Sequence, residues 1–75
     1  MNPNNSTVYS NKGNTLRKLE LYKEAIDCYN KAILLNPNNS TAYRNKGDTL
    51  RKLELYKEAI NCYDAVIYII PNESQ

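Results

Sequence analysis

The stretch that decides the fold is NPNNSTVYSNKGNTLRKLELYKEAIDCYNKAILL, residues 2–35, because it returns as NPNNSTAYRNKGDTLRKLELYKEAINCYDAVIYI at residues 36–69. The two stretches are identical at 25 of 34 positions. A fixed period of this length is typical of proteins in which similar units stack one on the next. We therefore expect a single domain over residues 1–75, with repeat 1 at 2–35, repeat 2 at 36–69 and a C-terminal tail at 70–75.

Apolar residues within each repeat follow the spacing of amphipathic helices. In the first repeat, Tyr22, Ile26, Tyr29 and Ile33 lie three or four residues apart, which places them on one helical face. Proline marks the limits of the repeats, at Pro3, Pro37 and Pro71. The pattern predicts an all-α fold with helices at residues 6–19, 22–35, 40–53 and 56–69.

Individual residues within this pattern resemble the tetratricopeptide repeat, whose signature is W-x2-L-G-x2-Y, then A-x3-F, then Pro. The matching residues of the first repeat are Tyr9, Gly13, Leu16, Ala25, Tyr29 and Pro37. Those of the second are Tyr43, Gly47, Leu50, Ala59, Tyr63 and Pro71. The resemblance covers nearly the whole chain. It implies two tandem helix-turn-helix units that form a short right-handed α-solenoid.

The turn inside each repeat departs from the family's pattern. Where the family usually has Gly, this chain has Glu20 and Glu54, and a Glu side chain is strained in the left-handed conformation that Gly adopts freely. One long helix per repeat, fused at these residues, is therefore an alternative to the hairpin, and two such chains would exchange helices. Burial of Tyr22, Ala25 and Tyr29 against the first helix favours the hairpin.

Composition limits the possible classes of function. Ten basic and eight acidic residues give a net charge of only +2, which does not indicate a polycation for nucleic acid. The chain has no His, and Cys28 and Cys62 lie one repeat apart, too far for a disulfide if the repeats stack. We expect a non-enzymatic protein without metal or cofactor. The absence of a signal sequence and of a long apolar run predicts a cytoplasmic protein with no membrane segment.

Resemblance to the tetratricopeptide repeat also implies that the first helix of each repeat lines a concave groove that binds extended peptides. Charge follows the same division, because residues 6–19 and 40–53 carry a net +6 and residues 20–35 and 54–70 a net −3. We expect a protein or peptide partner, acidic peptides included. The predicted peptide-binding residues are Ser10, Asn11, Asn14, Arg17, Arg44, Asn45, Asp48, Arg51 and Lys52.

Asparagines in this set are candidates for contact with peptide main chain, since a side-chain amide both donates and accepts hydrogen bonds. Asn11 and Asn45 resemble the asparagine ladder of O-linked N-acetylglucosamine transferases, and a solvated polar face in an Asn-rich sequence is the alternative explanation. Asn14 and Asn45 match the asparagines of the carboxylate clamp in chaperone-binding members, but Ser10 stands where the clamp has Lys.

Nucleic acid is an alternative ligand for the basic face. RNA-binding surfaces usually add aromatic side chains on which bases stack, whereas the tyrosines here occupy core positions of the repeat. The sequence therefore favours a peptide over RNA or DNA.

Self-association is a further prediction, because the last helix ends in an apolar run with no following helix to cover it. Repeat arrays usually finish with a polar capping helix. The chain is then either part of a longer array or a homo-oligomer, formed by stacking or by helix exchange. The predicted self-association residues are Ile60, Val66, Ile67, Tyr68, Ile69 and Ile70.

Overall fold

Four α-helices follow one another in the computed structural model, which describes the backbone of residues 3–73 and the side chains of residues 5–70. The helices are α1 (Pro3–Lys18), α2 (Tyr22–Leu35), α3 (Ser40–Lys52) and α4 (Tyr56–Glu73). The predicted all-α fold is confirmed. The predicted ends of the domain at residues 1, 2, 74 and 75 lie outside the described part of the chain.

The three prolines act differently from one another. Pro3 is the first residue of α1, where the missing N–H costs little because first-turn N–H groups have no partner inside the helix. Pro37 lies in the turn between α2 and α3, as predicted. Pro71 does not end α4, which continues to Glu73. The described part of the predicted tail, residues 70–73, is therefore the last turn of a helix.

Left-handed residues close the turns after α1 and α3. Glu20 and Glu54 both have a φ of 62°. The Leu21 N–H donates to the Leu16 carbonyl at 2.9 Å, and the Glu20 N–H donates to the Arg17 carbonyl at 2.8 Å. This pairing is the Schellman motif, and it recurs at Glu54. Each repeat is thus a hairpin, and the fused-helix alternative is wrong, because these bonds and the packing of the hairpin outweigh the strain at one Glu.

A tyrosine ring packed on a glycine holds each hairpin together. Tyr29 is fully buried. A Cβ atom at Gly13 would lie 2.6 Å from Tyr29 Cε1, so only a hydrogen fits there. Tyr63 and Gly47 repeat the arrangement, with a corresponding distance of 2.8 Å, but Tyr63 is only half-buried. Gly at this position is therefore required by the close approach of two helices.

Most of the buried apolar side chains are small. They include four alanines and two cysteines, which let neighbouring helices lie close together. Cys28 and Cys62 are both buried free thiols. The buried apolar residues are Ala25, Cys28, Tyr29, Ala32, Ala42, Leu50, Ala59, Cys62 and Ile69.

The junction between the repeats is tied by Asn39, which caps α3. Its Oδ1 accepts from the Ala42 N–H at 3.0 Å, while its Nδ2 donates to Ser6 Oγ at 2.8 Å and to Ser10 Oγ at 3.3 Å. Ser6 Oγ in turn donates to the Ala32 carbonyl at 2.7 Å. One amide thus joins the start of α3 to α1, and Ser6 continues the link to α2.

The array curves with α1 and α3 on its inner side. Cα atoms of α1 and α3 approach to within 8 Å of each other, whereas among the described helices no Cα atom of α2 lies that close to one of α4. First helices of successive repeats therefore lie closer together than second helices do. It follows that α1 and α3 form the concave surface.

Gly13→Ala tests the packing of the tyrosine ring. The new methyl collides with the fully buried Tyr29, so we expect the free energy of unfolding to fall by about 1–2 kcal/mol, even though Ala normally stabilises a helix relative to Gly. Urea denaturation measures the change. Gly47→Ala is the matched control, and we expect a smaller loss because the half-buried Tyr63 can move. Equal losses, or a gain for Gly13→Ala, would contradict this account.

Glu54→Gly tests the left-handed turn. Because Gly adopts a positive φ without steric strain, we expect the free energy of unfolding to rise by about 1 kcal/mol. Glu58→Gly, four residues further on and within α4, should instead lower it by about 1 kcal/mol through lost helix propensity. Thermal and urea denaturation of both variants compare the two positions. A loss of stability in both variants would show that Glu54 is not strained.

Candidate functional site

A row of hydrogen-bonded polar side chains crosses the concave surface from one repeat to the other. The Tyr29 hydroxyl donates to Asn14 Oδ1 at 2.6 Å, and Asn45 Nδ2 donates to the same oxygen at 3.0 Å. In the second repeat, the Tyr63 hydroxyl donates to the Asp48 carboxylate at 2.5 Å. The tyrosines that pack the hairpins therefore also place the polar groups of this surface.

These bonds determine which amide atoms remain for a ligand. Asn14 Oδ1 already accepts two hydrogen bonds and Asn45 Nδ2 already donates one. Neither Asn14 Nδ2 nor Asn45 Oδ1 has a partner among residues 5–70. No buried side-chain nitrogen or oxygen in that part of the chain lacks a partner, so both atoms reach the surface. Together they offer one donor and one acceptor, the complement of the groups on a peptide unit.

Basic side chains lie on the same two helices as this row. Arg44, Arg51 and Lys52 on α3 are exposed, while Arg17 on α1 is half-buried. Asp48, also half-buried, is the acidic residue among the predicted groove residues. The surface thus combines a short polar row with a positive rim.

The tyrosine hydroxyls respond to both burial and charge. Burial raises the pKa of Tyr29, and the positive charge of Arg17 acts in the opposite direction. Burial also raises the pKa of Tyr63, helped by the hydrogen bond to Asp48 and by the negative charge of Asp48. Both phenols are therefore held in their neutral, hydrogen-bond-donating form.

Ser10 does not line the groove. Its side chain is only 4% exposed and accepts a hydrogen bond from Asn39 in the junction between repeats. The prediction that Ser10 contacts peptide is therefore wrong, because a small hydroxyl is covered where a longer side chain would project. Its counterpart Arg44 is exposed.

The arrangement of the asparagines also differs from the predicted ladder of Asn11 and Asn45. Asn11 is exposed, but Asn45 is already bonded to Asn14 of the preceding repeat. Within the bonded row the available amide atoms lie on Asn14 and Asn45, which are not equivalent positions of the two repeats.

Sequence reasoning assigned Tyr29 and Tyr63 to the core alone and missed their hydroxyls. A signal was present, because the family signature has Phe at these positions and a buried phenol needs a polar partner. The partners, Asn14 and Asp48, each precede their tyrosine by 15 residues. Asn39 was also missed as the link between repeats, since its role depends on Ser6 brought near by the fold.

The predicted self-association residues of α4 fall into two groups. Ile60, Ile67, Tyr68 and Ile70 are exposed. Ile69 is buried in the core and Val66 is half-buried. The prediction is therefore wrong for Ile69, which is on the inward face of the helix.

Other chemistry has little support in the described residues. No group of three or more His, Cys, Asp or Glu side chains there is placed to hold a metal ion. Burial raises the pKa of the Cys62 thiol, which keeps it in its unreactive neutral form. Between residues 3 and 73 none of the helices combines the length and hydrophobicity needed to cross a bilayer.

Tyr29→Phe tests the hydroxyl that anchors the polar row. At neutral pH we expect the free energy of unfolding to fall by about 1 kcal/mol, because the bond to Asn14 is lost. The folded-state pKa of Tyr29 is raised above its ordinary 10.0. The stabilisation from the neutral phenol is therefore complete below pH 10 and is lost as the pH rises further, when the unfolded chain ionises first.

The difference between wild type and Tyr29→Phe should accordingly narrow toward about pH 11 in urea denaturation. Tyr56→Phe, at an exposed position, is the control and should change stability by less than about 0.5 kcal/mol at neutral pH. A constant difference between wild type and Tyr29→Phe across this pH range would refute the proposed linkage.

Comparison with known families agrees with the repeat pattern and the hairpin geometry. Two family models described as tetratricopeptide repeat match the chain, one at residues 6–39 and the other at residues 28–61. A search of curated proteins gave no match. The two matches together span both hairpins up to the first part of α4. The chain therefore belongs to the tetratricopeptide repeat family.

Proposed function

We propose that this chain is a non-enzymatic protein-interaction scaffold that binds an extended peptide along the concave surface of α1 and α3. Tetratricopeptide repeats generally mediate protein–protein interactions. The observation that carries the proposal is the pair of surface amide atoms, Asn14 Nδ2 and Asn45 Oδ1, held in place by the bonded row that begins at Tyr29. A fixed donor and acceptor bind main chain without reorganising on association.

Charge on the rim favours acidic ligands. Arg44 and Arg51 are exposed on α3, and helical spacing puts both near Asp48 of the polar row. A guanidinium pairs with a carboxylate through two parallel hydrogen bonds. Asp48 carries a negative charge close to Tyr63, so the ligand residue nearest that point should be neutral or basic. The expected ligand is therefore an extended peptide with separated acidic residues.

A peptide fits this surface better than RNA does. Tyr29 is fully buried and Tyr63 half-buried, so their rings are not available for base stacking. The most exposed tyrosines in the described part of the chain, Tyr56 and Tyr68, are on α4 and away from the concave side. The basic rim thus lacks the stacking groups that usually accompany it in RNA-binding proteins.

Self-association through α4 is a second proposed function, carried by a different observation. Ile60 and Ile67 are 56% and 67% exposed, although both are large apolar residues on a stable helix. Ile70 adds to the same exposed surface. Contiguous apolar side chains of this kind usually mark a contact with another protein.

Substitution of Arg44 and Arg51 by Ala tests the charged groove. The probe is a fluorescent, unstructured peptide with Glu at every third position, compared with the same peptide carrying Gln instead. We expect the double variant to bind the Glu peptide about three- to tenfold more weakly and the Gln peptide nearly as well as wild type does. Fluorescence anisotropy measures both dissociation constants.

The control for net charge is Lys23→Ala with Lys57→Ala, which removes two exposed cations from α2 and α4. It should leave binding of the Glu peptide nearly unchanged. An equal loss for both peptides in the Arg44 and Arg51 variant would reject a charge-led groove. A single-stranded RNA that bound more tightly than the peptide, with an affinity falling steeply in salt, would instead favour nucleic acid.

A further inference from the structure

We propose that copies of this chain associate head to tail, with α1 of one copy packed on α4 of the next as α3 packs on α2 within the chain. The inference rests on the proposed self-association and adds to it the partner surface and the register. Its basis is internal: the chain already contains one junction of this kind, and the sequences that form it occur again at both ends.

The residues that α4 contributes to the proposed junction are inferred from the equivalent residues of α2, which form the junction within the chain. Ile26 is half-buried and packs against the core cluster of repeat 2 that includes Leu50. Ile33, about two turns further along the same face of α2, is also half-buried. Their counterparts Ile60 and Ile67 have the same residue type but are more than half exposed. The difference in exposure marks the face that α3 covers in the first repeat and that no side chain among residues 5–70 covers in the second.

The α1 side is known in the same way from α3. Ala42 and Thr49 are fully buried in the chain. Their counterparts on α1 are Val8, which is 61% exposed, and Thr15, which is also exposed. Both ends of the chain therefore present the two halves of the internal junction, one on α1 and the other on α4.

A polar contact fixes the register. Within the chain, Asn45 Nδ2 donates to Asn14 Oδ1, which also accepts from a tyrosine hydroxyl. At the end of the chain, Asp48 stands in place of Asn14 and already accepts from Tyr63. Asn11, the counterpart of Asn45, is exposed. In the proposed junction Asn11 of one copy donates to Asp48 of the next, and this bond to a carboxylate is stronger than its neutral counterpart.

Besides Asp48 in place of Asn14, further substitutions distinguish the new junction from the internal one. Val8 replaces Ala42 and adds apolar volume at the centre of the contact. Arg44 replaces Ser10, and its side chain is long enough to keep the charged guanidinium outside the contact, at the rim of the groove. Because the surfaces that meet are different, the contact does not close on itself, and association continues beyond a dimer.

Two variants block the two surfaces separately. Thr15→Arg places a long cation on α1 where the counterpart is fully buried, and Ile67→Glu places a charge on α4. Each changes an exposed residue, so the folded monomer should be retained, which circular dichroism checks. The matched controls are Thr7→Arg and Tyr68→Glu, because these residues and their counterparts, Thr41 and Leu34, are all exposed.

Sedimentation equilibrium over a range of concentrations measures the assembly. For wild type and both controls we expect a mean mass that rises with concentration past twice the protomer mass. For Thr15→Arg and Ile67→Glu alone we expect association weakened by at least about tenfold. A mixture of the two blocked variants should form a one-to-one complex, because one retains a free α4 and the other a free α1.

Isotope labelling locates the contact. When ¹⁵N-labelled Thr15→Arg receives unlabelled Ile67→Glu, amide shifts should change along α4, and in the reverse experiment along α1. Dilution of labelled wild type should move both sets together, which provides a test even if a variant fails to fold.

The outcomes separate the two proposals. A wild type that stays monomeric at every concentration overturns self-association and the head-to-tail junction with it. A wild type that stops at a dimer, is unaffected by Thr15→Arg and shows shifts in α4 alone overturns the head-to-tail junction but keeps self-association, with two α4 helices facing each other.

Discussion

The packing of the Tyr29 ring on Gly13 is the contact on which the rest of the structure depends. It brings α1 and α2 together at a distance that only a glycine permits. Because the ring is then fully buried, its hydroxyl must find a partner, and that partner is Asn14. Asn14 in turn holds Asn45 of the next repeat. A single side chain thus connects the core of one hairpin, the polar row of the groove and the junction between repeats.

The same contact in the second repeat shows how much of the burial of Tyr29 depends on the neighbouring repeat. Tyr63 packs on Gly47 and bonds Asp48, yet it stays half-buried, because among the described helices α4 has a neighbour on one side only, α3. Ile60, on the same helix, is likewise uncovered. The same packing of a tyrosine ring on a glycine is therefore buried to different degrees, and the difference arises from position in the array. Surfaces of α1 and α4 therefore stay exposed, whereas their counterparts on α3 and α2 are covered where the two repeats pack together.

Much of the fold could be predicted from the residues, since a 34-residue period and helical spacing leave few arrangements. The turn at Glu20 was harder, because the side chain itself argues against a left-handed conformation and only the balance of Schellman bonds, packing and strain decides the path. For the candidate site, helix and repeat position were sufficient to predict that Arg44 and Arg51 are exposed, and their contact with peptide stays a prediction. They were not sufficient for Ser10, whose burial depends on Asn39, 29 residues away.

By itself, the sequence determined the helical segments, the division into two repeats and the family, because these follow from period, amphipathic spacing and the size of side chains at close contacts. Only the tertiary structure decided which polar atoms are already bonded and which face of each end helix is uncovered. Tyr63 and Tyr29 occupy equivalent positions of the two repeats, but their surroundings differ. Whether a polar atom is hydrogen-bonded, and how far a side chain is exposed, depend on residues that are distant in the chain. A local sequence pattern therefore cannot predict them.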